Sequence, residues 1–181
     1  MSNVGQGGYP PITQDTGEPG GPYFETTAAP YSFGVHVAEV EIDPDTGQTT
    51  VAGYVVVNDA GVIVNPLAAE GQIAGGVAQG LGGALMEELV YDADGQPQTT
   101  TFLDYIVPGS MDVPTLEIEH MSSPSPLNPL GMKGMGEGGA IGGHTAVANA
   151  VADAIEHLGV RVTRTPLKPS TVWELIHSAK S

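Results

Sequence analysis

Apolar and polar positions alternate along 32–42 in the manner of a β-strand. The apolar positions are Phe33, Val35, Val37, Val40 and Ile42. They change phase after Val37, which predicts a bulge near Ala38–Glu39. Residues 43–47 read DPDTG, a turn sequence in which proline presets φ and glycine accepts a positive φ. A second apolar run over 50–57 completes a predicted β-hairpin.

A four-residue spacing of apolar side chains predicts one long helix over 66–89. These side chains are Ile73, Val77, Leu81, Leu85 and Leu89. Asn65 is a typical N-cap residue and Pro66 suits the first helical position.

Two further strands are predicted over 100–107 and 116–121, and a rigid, proline-rich loop follows over 122–131. Residues 1–30 are rich in glycine, proline and threonine and have no apolar periodicity, so we interpret them as an extended arm. Residues 31–181 form the rest, and the mixture of strands and helices predicts one α+β domain.

Two helices are predicted near the end of the chain. The first carries apolar residues at helical spacing from Val147 to Leu158 and ends at Gly159. The second is short and follows Pro169, with Thr171 and Glu174 spaced as a capping box.

The acidic charge balance limits the kinds of macromolecule that this chain can bind. The chain has 21 acidic and 5 basic residues, a formal net charge of -16. Such a surface repels phosphate backbones and anionic membranes, so nucleic-acid binding is excluded as a leading hypothesis. Two interpretations stay open: a solvated acidic surface, or a patch that docks a basic partner subunit.

The absence of cysteine excludes a disulfide framework, a thiolate metal site, an iron–sulfur cluster and a cysteine nucleophile within this chain. The five histidines have no zinc-like spacing beside a carboxylate, so we interpret them as structural or surface residues and predict no metal ligands. We find neither a signal peptide nor a membrane span, and we expect a cytoplasmic protein.

The segment 131–143, GMKGMGEGGAIGG, carries the strongest local signal. Seven of its thirteen residues are glycine, so backbone N–H groups are uncovered ahead of a helix and can form an anion cradle. Lys133 adds a positive charge and Glu137 is the only carboxylate. The alternative is a structural glycine turn with a solvent-facing glutamate.

A nucleotide site is a weaker interpretation of the same segment. Gly134, Gly136 and Gly139 match the G-x-G-x-x-G fingerprint of dinucleotide-binding folds. That fingerprint needs a strand directly before it and an acidic residue at the end of a second strand. Here a proline-rich loop precedes it, and Glu156 falls inside a predicted helix.

The long helix is unusually rich in glycine, although each interior glycine costs roughly 0.5–1 kcal/mol relative to alanine. Such density indicates that another backbone or a ligand approaches closely. Gln72 lies among these glycines and can offer its amide to a ligand. Alternatively, it lies on the exposed side of a glycine-packed helix.

Several of these segments together resemble a known family. They are YSFGVHVAEVEIDPDTG from Tyr31, NDAG from Asn58, the pair Asn65-Pro66, GQIAGGVAQGLG from Gly71 and SPSPLNPLGMKGMGEGGAIGG ending at Gly143. In this order they resemble the large subunit of molybdenum hydroxylases, the family of xanthine dehydrogenase, aldehyde oxidase and aerobic carbon monoxide dehydrogenase. The resemblance covers about Tyr23 to Ile176 and implies the C-terminal portion of the second molybdopterin-binding domain.

The resemblance implies roles for individual residues. Glu137 matches the glutamate that lies beside the molybdenum and acts as general base. Gln72, Lys133, Gly134, Met135 and Gly136 match positions that contact the pterin or its diphosphate. The cofactor implied is molybdopterin, in the cytosine dinucleotide form that bacterial relatives usually carry.

Family large subunits are several times longer than this chain, so the resemblance implies a fragment or split subunit that is active only with partners. Those partners are the remaining large-subunit half, an iron–sulfur subunit and a flavoprotein that holds FAD. The reaction implied is oxidative hydroxylation of an aldehyde, an N-heteroaromatic compound or carbon monoxide. The alternative is a non-catalytic pterin-binding or assembly module.

Overall fold

The computed structural model describes residues 29–178. The predicted β-hairpin is present, with β1 at Phe33–Ile42 and β2 at Thr49–Asp59 paired antiparallel. The register shifts between Glu39 and Val40, which confirms a bulge at the predicted place. In the connecting turn, Asp43 accepts hydrogen bonds from the N–H of Asp45 and the hydroxyl of Thr46, and Gly47 has a positive φ of 73°.

A third strand, β3 at Leu116–Met121, pairs with β2 in parallel and completes a sheet of order β1-β2-β3. Its position was predicted, whereas its partner was not. The predicted strand over 100–107 is wrong. Residues there form a turn, in which Thr101 accepts from the N–H groups of Asp104 and Tyr105 and its hydroxyl bonds to the Asp104 carboxylate. These local bonds replace strand pairing.

The long helix α1 spans Pro66–Leu85. Its start is as predicted, because the side chain of Asn65 accepts a hydrogen bond from the N–H of Ala68 and Pro66 is the first helical residue. Its predicted end at Leu89 is wrong. The N–H groups of Met86 and Glu87 both bond to Gly82 O and close the helix, so Leu89 is 60% exposed rather than in the core.

Two more helices follow, α2 at Ala140–Glu156 and α3 at Pro169–Ser178. The first begins inside the glycine-rich segment, earlier than its apolar spacing indicated. Gly159, with a positive φ of 75°, follows its last turn as predicted. The proposed capping box is wrong because Thr171 is already inside α3. Proline takes the first helical position there, and Val172 N donates to Lys168 O.

The core lies between the inner face of the sheet and the helices. It includes buried side chains of β2, α1, α2 and α3: Tyr54, Val56, Ile73, Val77, Leu81, Val147, Val151, Ile155, Val172 and Ile176. The four-residue spacing in both long helices thus marks their buried stripes. The α+β class is confirmed.

The predicted arm falls largely on residues 1–28, outside the described residues, and the division of the chain at residue 30 stays a prediction. Within 29–178, no helix has both the length and the apolar character needed to cross a membrane.

Candidate functional site

The glycine-rich segment forms a loop that turns directly into α2. Gly138 N donates to Met135 O at 3.2 Å, and the N–H groups of Ala140 and Ile141 both donate to Glu137 O at 3.0 Å. These bonds place Glu137 one turn ahead of the helix. Its side chain is exposed, so its carboxylate is presented by a fixed backbone rather than packed into the core.

The start of the loop is held by a buried ion pair that sequence reasoning missed. The Lys133 ammonium lies 3.0 Å from Asp59 Oδ1, and the Asp59 side chain is fully buried at the end of β2. Lys133 N also donates to Ala60 O, and its ammonium lies 4.8 Å from the Phe33 ring centroid. The positive charge of Lys133 is therefore engaged within the chain.

Asp59 has enough donors to stay ionised. Burial alone raises the pKa of this carboxyl, but hydrogen bonds from Ser123 Oγ, Gly61 N, Lys133 and Ser123 N outweigh burial and hold the pKa well below its usual range. The pair ties β2, the proline-rich loop and the glycine-rich loop together at one point.

Gln72 contacts the glycine-rich loop directly. Gln72 Nε2 donates to Gly136 O at 2.7 Å, which joins α1 to the residue before Glu137. Gly134 N donates to Pro30 O at 3.2 Å. Met135 differs from its neighbours, because its side chain packs against the hydrophobic core and leaves only its backbone to meet a ligand.

The glycines of α1 serve two different purposes. A Cβ at Gly76 would lie 2.6 Å from Ala140 N, and one at Gly80 would lie 2.7 Å from the Cα of Gly143, so these two allow α1 and α2 to cross backbone to backbone. A Cβ at Gly71 or Gly75 would meet nothing within 4 Å. Close approach of another backbone thus accounts for Gly76 and Gly80, whereas Gly71 and Gly75 face open space.

An open face of bare backbone results beside Gln72. Gly136 also has nothing within 4 Å of an added Cβ, and its hydrogen bond from Gln72 places it beside α1. Gly71 and Gly75 lie inside α1, where their N–H and C=O groups are bonded within the helix, so this face offers backbone without side chains and the exposed amide of Gln72. A ring can approach such a backbone closely and an amide can both donate and accept hydrogen bonds, so the residues present fit a pterin.

Among the histidines, His36 reaches the site. Its Nε2 lies 3.1 Å from Gly138 O, directly after Glu137. No sequence signal marks this contact, because the two residues are 102 positions apart. His120 differs: both ring nitrogens are buried without a partner within the described part of the chain.

Comparisons with known proteins identify the class. The family model for the molybdopterin cofactor-binding domain matches residues 4–114, and the chain belongs to that family. The match includes Gln72 and ends before the loop with Glu137, which relatives cover instead.

Among these relatives is the nicotine 6-hydroxylase large subunit of Paenarthrobacter nicotinovorans, 46% identical over 150 residues, which are 82% of this chain and 18% of the relative. Quinoline 2-oxidoreductase from Pseudomonas putida 86 is similar in structure, with a TM-score of 0.77 and 46% identity over 78% of this chain and 18% of that chain. Carbon monoxide dehydrogenase from Oligotropha carboxidovorans is also similar in structure. Its TM-score is 0.80 and its sequence identity 31%, over 83% of this chain and 19% of that chain.

The chain is thus a molybdopterin-binding fragment of the molybdenum hydroxylase large-subunit type, as its resemblance implied. It spans about a fifth of the length of the relatives it matches.

Proposed function

We propose that this chain supplies the catalytic base and part of the molybdopterin site of a multi-subunit molybdenum hydroxylase. The observation that carries the proposal is the exposed carboxylate of Glu137, presented next to bare backbone at Gly136. The substrate is an aldehyde, an N-heteroaromatic compound or carbon monoxide. Two relatives bear the names nicotine 6-hydroxylase and quinoline 2-oxidoreductase, which favours the N-heteroaromatic class.

The residues of this chain take three roles. Gln72 and those backbone groups of Lys133, Gly134, Met135 and Gly136 that are not bonded within the chain bind the cofactor, in its cytosine dinucleotide form, and orient it. The bound cofactor supplies the two-electron oxidation of the substrate. The carboxylate oxygens of Glu137 accept the proton that is released as oxygen is transferred to the substrate.

The proposed enzyme works only as an assembly. Its other parts are the remaining portion of the large subunit, an iron–sulfur subunit and a flavoprotein that holds FAD. A docking role is supported by apolar side chains between α1 and β3 that face solvent: Phe102 is 81% exposed, Leu103 90% and Met111 94%.

Replacing Glu137 with glutamine in the assembled enzyme tests the catalytic role. Because general acid–base catalysis contributes roughly 10²- to 10⁴-fold, we expect turnover to fall by about that factor while molybdenum and pterin contents stay unchanged. Glu156→Gln is the matched control, since Glu156 is also exposed and lies at the far end of α2. We expect it to leave turnover unchanged.

Near-normal turnover of Glu137→Gln would contradict the role as base. A complex that binds the pterin through this chain but shows no turnover in the wild type would instead support the alternative, a non-catalytic pterin-binding or assembly module.

A further inference from the structure

A hydrogen bond from the sheet holds the carbonyl group of Gly138, the residue that follows Glu137. His36 lies in the middle of β1, and its Nε2 is 3.1 Å from the carbonyl oxygen of Gly138. A carbonyl oxygen can only accept, so Nε2 carries the proton and donates. A part-buried imidazole therefore fixes the carbonyl next to the proposed base.

The tautomer of His36 is selected by a second buried group. Its Nδ1 lies 3.0 Å from the hydroxyl oxygen of Tyr54, a β2 residue that is only 2% exposed. In the neutral imidazole Nδ1 is the acceptor, so the Tyr54 hydroxyl donates to it. The two rings meet edge to face, with centroids 5.9 Å apart at 80°.

The ionisation of both groups favours this arrangement. Burial lowers the pKa of His36, although its hydrogen bond to Gly138 acts in the opposite direction. Burial raises the pKa of Tyr54 to about 12, so its hydroxyl keeps its proton. The chain of donors then runs in one direction, from Tyr54 through His36 to Gly138.

Two glycines make room for this contact. A Cβ at Gly142, in the first turn of α2, would collide with the His36 ring. A Cβ at Gly138 would lie 2.8 Å from Nδ2 of Asn58, a residue of β2 that is 1% exposed. The sheet therefore contacts the backbone closely at Gly138 and in the first turn of α2.

The carbonyl groups of Gly136, Glu137 and Gly138 are consequently held by three different elements. Gln72 of α1 bonds to Gly136 O, His36 of β1 bonds to Gly138 O, and the first amides of α2 bond to Glu137 O itself. The side chain of Glu137 is therefore exposed, while the backbone that carries it has little freedom to move.

We propose that His36, oriented by Tyr54, is a positioning residue for Glu137. It keeps the Gly138 carbonyl in place and so sets the direction in which the carboxylate leaves the loop. This proposal rests on the proposed function, because the effect on turnover requires Glu137 to be the base. Since misplacing a reacting group by about 1 Å costs up to roughly 100-fold in rate, the contact matters for kcat more than for substrate binding.

The experiment compares His36→Ala, His36→Gln and Tyr54→Phe in the assembled complex. For His36→Ala we expect kcat to fall by roughly 10- to 100-fold with KM within about twofold. We also expect amide exchange of residues 137–141 to accelerate by roughly 3- to 10-fold, the equivalent of one net hydrogen bond. His36→Gln retains a donor at the position of Nε2, so it restores most of both quantities. For Tyr54→Phe we expect values of kcat and amide exchange between those of His36→Ala and His36→Gln.

Val172→Ala in α3 is the control for general destabilisation, because Val172 is fully buried and takes no part in the site. We expect it to lower stability without changing kcat or the exchange of 137–141. Wild-type exchange in His36→Ala, or no difference between His36→Ala and His36→Gln, would overturn the proposal. So would faster exchange with unchanged kcat in an enzyme that Glu137→Gln inactivates. Should Glu137→Gln keep its activity, the proposed function fails, and with it the catalytic consequence of this contact, while the exchange data still report whether His36 holds the loop.

Discussion

The charged residues at the two ends of the glycine-rich loop differ in exposure and in bonding. At the first end, the Lys133 side chain is 10% exposed and its ammonium bonds to a fully buried carboxylate. At the second, the Glu137 side chain is exposed and only its backbone is fixed. Within five residues, one charge anchors the loop and the other is presented by it.

The difference shows that a charge on a glycine-rich loop does not by itself indicate a ligand contact. Lys133 resembles a phosphate-binding lysine in the sequence, yet its ammonium is bound by Asp59, 74 positions earlier. Its cofactor contact, as we propose it, uses the backbone. The charge that this loop leaves exposed is that of Glu137.

The largest expected effect comes from removing the ion pair between Lys133 and Asp59. Asp59→Ala leaves the Lys133 ammonium part-buried without its counter-ion, and removing one partner of a buried ion pair costs about 3–5 kcal/mol. We expect the free energy of unfolding, measured by urea titration with circular dichroism, to fall by about that amount. Glu137→Gln is the comparison, and as a surface change it should stay within about 0.5 kcal/mol of wild type. Equal effects of the two variants would contradict the distinction between the two ends.

A pair of glycine variants separates the inner and outer sides of the loop. Gly139→Ala places a Cβ against the carbonyl of Ile73 in α1, and overpacking of this kind costs about 1–3 kcal/mol. Gly136→Ala meets nothing within 4 Å, so we expect stability within about 0.5 kcal/mol of wild type.

The same pair is then compared for bound pterin in the assembled complex. We expect Gly136→Ala to lower the pterin content although it folds normally. A normal pterin content in that variant would show that the open face at Gly136 is not used by the cofactor.

The smallest expected effect is a pH dependence that reports the Glu137 end. Burial lowers the pKa of His36 below the ordinary value of 6.5, so the folded protein binds its proton less readily than the unfolded chain does. Its contribution to stability is full above pH 6.5 and is lost as pH falls from there through the folded-state pKa. Unfolding free energies between about pH 8 and about pH 5 should therefore decline, and His36→Gln should decline less. Identical profiles would contradict a buried, neutral His36.

The Asp59–Lys133 ion pair at the first end of the loop affects stability in a separate, more acidic pH range. Because the pKa of Asp59 is lowered, its contribution persists above the ordinary value of 3.8 and is lost only as pH falls below it. The two ends of the loop can thus be distinguished by where stability declines.

Local patterns predicted the elements whose causes are local. Asn65 and Pro66 begin α1 because an N-cap and a first-turn proline act within one turn of helix. The phase change after Val37 predicted the bulge, since side chains of a strand alternate with a period of two. Local patterns failed at 100–107 and at Leu89, where side-chain hydrogen bonds and the absence of a packing surface decided the conformation.

The sequence by itself determined the α+β class, the buried stripes of the helices and a glycine-rich loop with a single carboxylate. Only the tertiary structure decided that β3 lies parallel to β2, that Lys133 is bound by Asp59 and that His36 reaches Gly138. These contacts join residues that are distant along the chain. Their geometry depends on how the sheet and helices pack together, a property that no window of neighbouring residues contains.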